Sequence, residues 1–220
     1  MDSLRGMKQK LFALLSYTST FIYNDKMHEF KRELFRDLPR FQSDDGPLRL
    51  LEIGCGSGAN FQYYPGGCVV VCSDPNAHFE EYLRRSMEES AHLSYGPVLV
   101  ESAERLGPVQ DASVDVVVST LVLCSVRDVR KVLLEVRRVL RPGGALFFLE
   151  HVVSSQGSWL YWLQVLVDPL WSRLGDGCHV TRDTGTELQS AGFSHLQLKN
   201  LSEPKLSAVI RPHIMGFCIK

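Results

Sequence analysis

Apolar strand-like runs alternating with helical stretches, a glycine-rich loop that closes the first run, and an acid at the end of the second together predict an α/β domain of the doubly wound, Rossmann-like kind. The alternation covers Leu48 to Ile53, Asn60 to Tyr64, Val69 to Ser73, Ala77 to Glu88, Val98 to Val100, Val114 to Ser119, Val129 to Leu140 and Ala145 to Leu149. Several of these runs are continuous and β-branched, as strands covered on both faces are. Strand candidates at Leu196 to Leu201 and Ile214 to Ile219 bring the sheet to seven strands, mostly parallel, with helices on both faces.

Ahead of this core, Leu4 to Leu38 is patterned as helix. Leu11, Leu14, Leu15 and Tyr17 cluster, and Phe30, Leu34, Phe35 and Leu38 recur at three- and four-residue spacing, so two helices are expected. Pro39 and the run Ser43-Asp44-Asp45-Gly46-Pro47 break the pattern, separating an N-terminal helical segment, 1–46, from a domain at 47–220. Late in the chain, Thr184 to Ala191 reads as a helix stopped by Gly192. Residues 154–180 interrupt the alternation and hold all three tryptophans, Trp159, Trp162 and Trp171. Such an inserted segment can close over an apolar acceptor, form an amphipathic patch at a membrane surface, or simply pack.

With 220 residues and 45% hydrophobic content, the chain can bury one substantial core. Its 24 Lys+Arg against 25 Asp+Glu leave no basic field to attract nucleic acid. The six cysteines show no Cys-x-x-Cys pair and no zinc-like spacing, so buried reduced thiols in a reducing compartment are expected, without a metal. No secretory signal is legible at the N-terminus. The most apolar early stretch, Leu11 to Tyr23, is interrupted by Ser16, Thr18, Ser19 and Thr20 and falls short of the roughly 20 residues a membrane span needs.

Chemistry concentrates at four places. The run Leu50-Leu51-Glu52-Ile53-Gly54-Cys55-Gly56-Ser57-Gly58 carries a strand into a loop where glycines permit a sharp turn and close approach of a ligand. Its Gly-x-Gly-x-Gly spacing is tighter than the dinucleotide fingerprint and suits a nucleoside with a small charged tail. Asp74 ends the next strand about twenty residues after Gly54, where such folds place an acid on the ribose hydroxyls; the alternative is that Asp74-Pro75-Asn76 caps a helix. Ser102, Ala103 and Glu104 follow the short strand at Val98, where an adenine ring would lie along the sheet. A fourth run, Asp115 to Leu121, is a buried strand ending in hydroxyls, and Arg141-Pro142-Gly143-Gly144 after the next helix is a structural turn.

At these places the chain resembles the class I S-adenosylmethionine-dependent methyltransferases. The resemblance implies S-adenosyl-L-methionine as cofactor, held by Glu52, Gly54, Gly56, Gly58, Asp74, Asn76, Ser102, Ala103, Glu104 and Thr120, with the glycine loop at the methionine end and Asp74 on the ribose. Further runs, Gly58 to Pro65, Thr120 to Val126, Glu135 to Gly144, Glu150 to Val152, Asp176 to Cys178 and Arg211 to Gly216, are similar to the small methyltransferase-like thiol S-methyltransferases from about Tyr23 to Lys220. That likeness implies a small lipophilic thiol as acceptor. Those proteins carry a hydrophobic N-terminal anchor to the endoplasmic reticulum and lipid droplets; here 1–46 is expected to be a remnant of such a region, and the chain to be cytoplasmic or peripheral on the cytosolic face of those membranes.

Two rival readings share the cofactor motifs: a C- or O-methyltransferase of a quinone, phenol or lipid, and a non-catalytic cofactor-binding protein of membranes or lipid droplets. His151, after the strand run Phe147 to Glu150, is the candidate for orienting or deprotonating the nucleophile, or a packed structural histidine. Cys124 reads as a core position, since direct methyl transfer needs no covalent enzyme intermediate. Cys178 and His179, beside Asp176, line the acceptor pocket or shape a loop.

Overall fold

The computed structural model describes residues 2–220, with side chains from residue 6 onward. Seven strands, β1 (Arg49–Ile53), β2 (Val69–Ser73), β3 (Ser94–Leu99), β4 (Val114–Thr120), β5 (Leu140–His151), β6 (His195–Ser202) and β7 (Pro212–Ile219), form one sheet in the order β3-β2-β1-β4-β5-β7-β6. Strands β1 to β5 pair in parallel, while β7 runs antiparallel between β5 and β6. The helices are α1 (Asp2–Phe35), α2 (Glu80–Glu89), α3 (Val129–Val139), α4 (Trp159–Leu174) and α5 (Thr184–Ser190).

The strand pleat sorts the core into two apolar layers. Leu50, Val116, Val118, Phe147 and Leu149 point to the face covered by Met27, Leu34 and Phe35 of α1 and Leu83 of α2. Their chain neighbours Leu51, Val117, Leu146 and Phe148 point to the other face, against α3 and Leu188 of α5. Helix α3 buries Val129, Val132, Leu133, Val136 and Val139, the three- and four-residue spacing of one helical stripe, and Asp128 caps it by accepting from Lys131 N–H at 3.2 Å. Each fully buried aliphatic side chain contributes about 1.5–3 kcal/mol.

Three expectations are corrected. The N-terminal segment is one helix, α1, and not two. Its polar patch stays within the helix, where the Thr18 and Ser19 hydroxyls are satisfied by bonding back to the Leu15 and Ser16 carbonyls at 2.9 and 3.1 Å. The Pro-Gly-Gly turn lies inside β5: Val114 pairs with Leu140 and Val116 with Ala145, so the turn is a bulge against β4. There a Cβ on Gly144 would lie 2.7 Å from the Asp115 carbonyl oxygen, which is why glycine stands at that point. Asn60 to Tyr64 is a short 3-10 turn over Phe61–Tyr63.

Helix α4 presents Trp159, Trp162 and Leu166 to solvent, at 69%, 63% and 77% exposure, with Leu170 and Leu174 continuing the stripe. Among the described residues, no helix is long and apolar enough to cross a membrane.

Candidate active site

The sheet order reverses between β1 and β4, and a crevice opens beyond the carboxyl ends of the strands at that switch point. Gly54, Gly56 and Gly58 follow β1 at φ values of +56°, +50° and +79°, a left-handed conformation that glycine adopts without strain. A Cβ on Gly54 would meet Val122 at 2.5 Å, and one on Gly58 would meet Phe61 at 2.5 Å. One carboxylate oxygen of Asp74, at the end of β2, accepts from Gly56 N–H at 2.9 Å and the other from Asn76 N–H at 2.8 Å. Burial pushes its pKa up to about 6, against the lowering effect of those two N–H groups.

Around this loop lies a cavity of about 710 Å³, lined by Glu52, Gly54, Gly56, Asp74, Asn76, Ser102, Ala103, Glu104 and Thr120. Gly58 alone of the expected cofactor residues is not on its wall; it serves the turn. A smaller cavity of about 260 Å³ shares Gly56, Asp74 and Asn76 and extends toward Leu83, Val98 and Val100. Glu104 ties its loop to the start of α3 by accepting from Asp128 N–H at 2.7 Å. The Asn76 side chain accepts from His78 N–H and donates to the Gln9 carbonyl, fastening α1 to the cavity rim.

Helix α1 completes the cavity, which no motif announces: Gln9, Phe12, Tyr23, Asn24 and Lys31 line it. Lys31 is 2% exposed. Its ammonium donates to Asn24 Oδ1 at 2.6 Å and to Asn60 Oδ1 at 2.7 Å. Asn60 Nδ2 donates in turn to Glu52 Oε1 at 2.7 Å and Thr120 Oγ1 at 2.9 Å, while Tyr64 donates to Glu52 Oε2 at 2.8 Å. Burial lowers the Lys31 pKa to about 8 and raises that of Glu52 to about 7. A lysine in a helix ordinarily reads as solvated, so only packing reveals its role.

His151 does not line the cavity. It is buried, with Nε2 3.0 Å from Cys178 Sγ. Cys178 Sγ also lies 3.7 Å from Cys124 Sγ and accepts from Trp171 Nε1 at 3.3 Å. The bond from Cys124, then those from His151 and Trp171, hold the Cys178 thiol well below the usual thiol range, and the same pairing with burial pushes Cys124 up. Asp176 and Gly177 reach the cavity wall, whereas His179 bonds Asp168 Oδ2 at 2.8 Å and shapes its loop. Trp159 and Trp162 are exposed and off the wall, so of the three readings open for this segment they do not form a lid over the cavity; Trp171 is half-buried, with Nε1 on Cys178.

S-adenosylmethionine fits these residues. Each Asp74 oxygen keeps a lone pair for a ribose hydroxyl, the glycine loop leaves no Cβ in the way, and the Lys31 ammonium retains one donor beyond its two amide bonds.

Residues 51–148 match the family described as a methyltransferase domain. Thiol S-methyltransferase TMT1A of Homo sapiens is 47% identical over 212 residues, covering 96% of this chain and 87% of that protein. Thiol S-methyltransferase TMT1B of Homo sapiens is 50% identical over 197 residues, covering 90% and 81%. Among solved structures, a SAM-dependent methyltransferase from Methanosarcina mazei superimposes with a TM-score of 0.61 at 21% identity, over 85% of this chain and 98% of that one, which is a likeness of fold. The chain is a methyltransferase and belongs to the family of these thiol S-methyltransferases.

Proposed function

We propose that the chain transfers the methyl group of S-adenosylmethionine to small lipophilic thiols. The observation that carries this reading is the identity to thiol S-methyltransferases across nearly the whole chain. Bound S-adenosylmethionine supplies an electrophilic methyl on a sulfonium, and transfer is an in-line displacement. The protein therefore has to hold donor and acceptor in line and keep water out. Asp74 would take the ribose, Ser102 and Ala103 would border the base, and Lys31 beside Glu52 would take the methionine end. Phe12, Tyr23, Val122 and Val126 give the same cavity apolar wall for a lipophilic acceptor, in which an unpaired charge is costly. A thiolate is a strong nucleophile and needs little further activation. Transfer of labelled methyl groups to a panel of thiols, phenols and lipids tests the reading, the rival carbon or oxygen acceptors being scored in the same assay.

The proposal extends to location: a protein lying on the cytosolic face of endoplasmic reticulum or lipid droplets, or in the cytoplasm. The solvent-facing stripe of α4 supports peripheral contact, because aromatic and aliphatic side chains exposed at helical spacing suit a lipid interface. Flotation with phosphatidylcholine vesicles tests it: Trp162→Glu with Leu166→Glu should lower the bound fraction, and unchanged flotation contradicts contact through α4.

A further inference from the structure

We propose that Cys124, His151 and Cys178 form a site for a soft divalent cation of the zinc class, with one coordination position left open. The three come from separate elements: the loop after β4, the last residue of β5 and the loop after α4. Their ligand atoms all lie within 4.8 Å of one another. The sulfur–sulfur distance of 3.7 Å is far beyond a disulfide and agrees with the edge of about 3.8 Å that two Zn–S bonds of about 2.3 Å make in a tetrahedron. His151 Nε2, 3.0 Å from Cys178 Sγ, needs to open by about half an ångström to complete such a set.

The surroundings suit a bound cation. Trp171 Nε1–H donates to Cys178 Sγ, and Ser125 Oγ is 3.5 Å from Cys124 Sγ, contacts of the kind that orient thiolate ligands. No sequence spacing announces this set, because its members are brought together only by the fold.

Three protein ligands and one open position are the pattern of catalytic zinc sites. None of the three ligands is itself on the cavity wall; Cys124 and Cys178 stand next in the chain to Ser125 and Gly177, which are, and the open position is assigned to that side. An acceptor thiol displaces a bound water, forms a metal–sulfur bond and releases its proton to solvent. The coordinated thiolate then uses a sulfur lone pair to form the new S–CH3 bond, as the sulfonium C–S bond breaks and its electron pair stays on the cofactor sulfur. This use of the open position rests on the thiol reading above; the metal site itself does not.

Metal analysis of the purified full chain after gel filtration should find about one zinc per chain, falling at least ~10-fold in Cys178→Ser and in His151→Gln. Circular dichroism and cofactor affinity serve as checks that these variants fold. Cobalt substitution should give tetrahedral visible bands and a sulfur-to-cobalt charge-transfer band, which an added alkyl thiol shifts and a phenol does not. Zinc-free protein with freely titratable Cys124 and Cys178 thiols overturns the site. Metal binding without a thiol-induced shift overturns the role of the open position. A metal-loaded enzyme that methylates only phenols leaves the site standing and refutes the thiol reading instead.

Discussion

The Lys31 ammonium lies 2.7 Å from Asn60 Oδ1, and the same amide donates to Glu52 at 2.7 Å, so one side chain links a buried cation to a buried carboxylate on the cavity wall. Lys31 retains one donor, and in the proposed reading that donor takes the cofactor's methionine carboxylate. Lys31→Met should therefore weaken S-adenosylmethionine binding about 10-fold or more, the equivalent of a lost charged hydrogen bond of about 1.5–3 kcal/mol. Calorimetric titration checks this, and wild-type affinity in a folded Lys31→Met protein contradicts it.

The same pair shapes the pH dependence of the cofactor-free protein. Glu52 rises from 4.5 to about 7 on folding, so its ionisation costs stability as pH rises between those values. Lys31 falls from 10.5 to about 8, so stability is recovered as pH rises above about 8. The network is most strained between, where both groups are charged. Glu52→Gln should consequently gain melting temperature relative to wild type as pH passes from 4.5 to above 7. A difference that stays constant across that range contradicts the assignment.

Asp74→Ala should abolish measurable cofactor binding while the fold survives. The variant loses the acceptor of the ribose hydroxyls, at about 1.5–3 kcal/mol for each charge-assisted bond. It also frees the Gly56 and Asn76 N–H groups that now hold the loop. Unchanged affinity in a folded variant removes Asp74 from the site.

Gly54 and Gly56 differ in what a side chain would meet. A Cβ on Gly54 collides with Val122 at 2.5 Å, whereas one on Gly56 reaches Phe79 at an ordinary 3.7 Å. Both positions carry positive φ, which costs alanine about 1–2 kcal/mol. Gly54→Ala should therefore lower the melting temperature more than Gly56→Ala. Equal losses measured by calorimetry would mean that Val122 yields freely.

What could be read in the sequence was local. The glycines at 54, 56 and 58 and the acid at 74 each show within a short window, and the seven-stranded sheet follows from adding such runs along the chain. What escaped depends on distant segments meeting. Lys31 and Asn24 join the cavity only because α1 packs across it. Cys124, His151 and Cys178 converge from three loops and strand ends with no shared spacing. Pro142-Gly143-Gly144 reads as a turn after a helix and stands inside β5, because glycine and proline punctuate both helix ends and strand bulges. For Trp159 and Trp162 the sequence leaves lid, surface patch and packing open, and only the orientation of α4 decides that they face solvent.

Whether this methyltransferase acts on lipophilic thiols is decided by incubating the purified chain with methyl-labelled S-adenosylmethionine and an equimolar panel of an alkyl thiol, glutathione, a phenol and a quinone, then identifying the labelled products by mass spectrometry. Label is expected on the sulfur of the alkyl thiol, with little on charged glutathione and none in Asp74→Ala. Label confined to the phenol or quinone, or no transfer by a protein that binds the cofactor, would contradict the thiol reading.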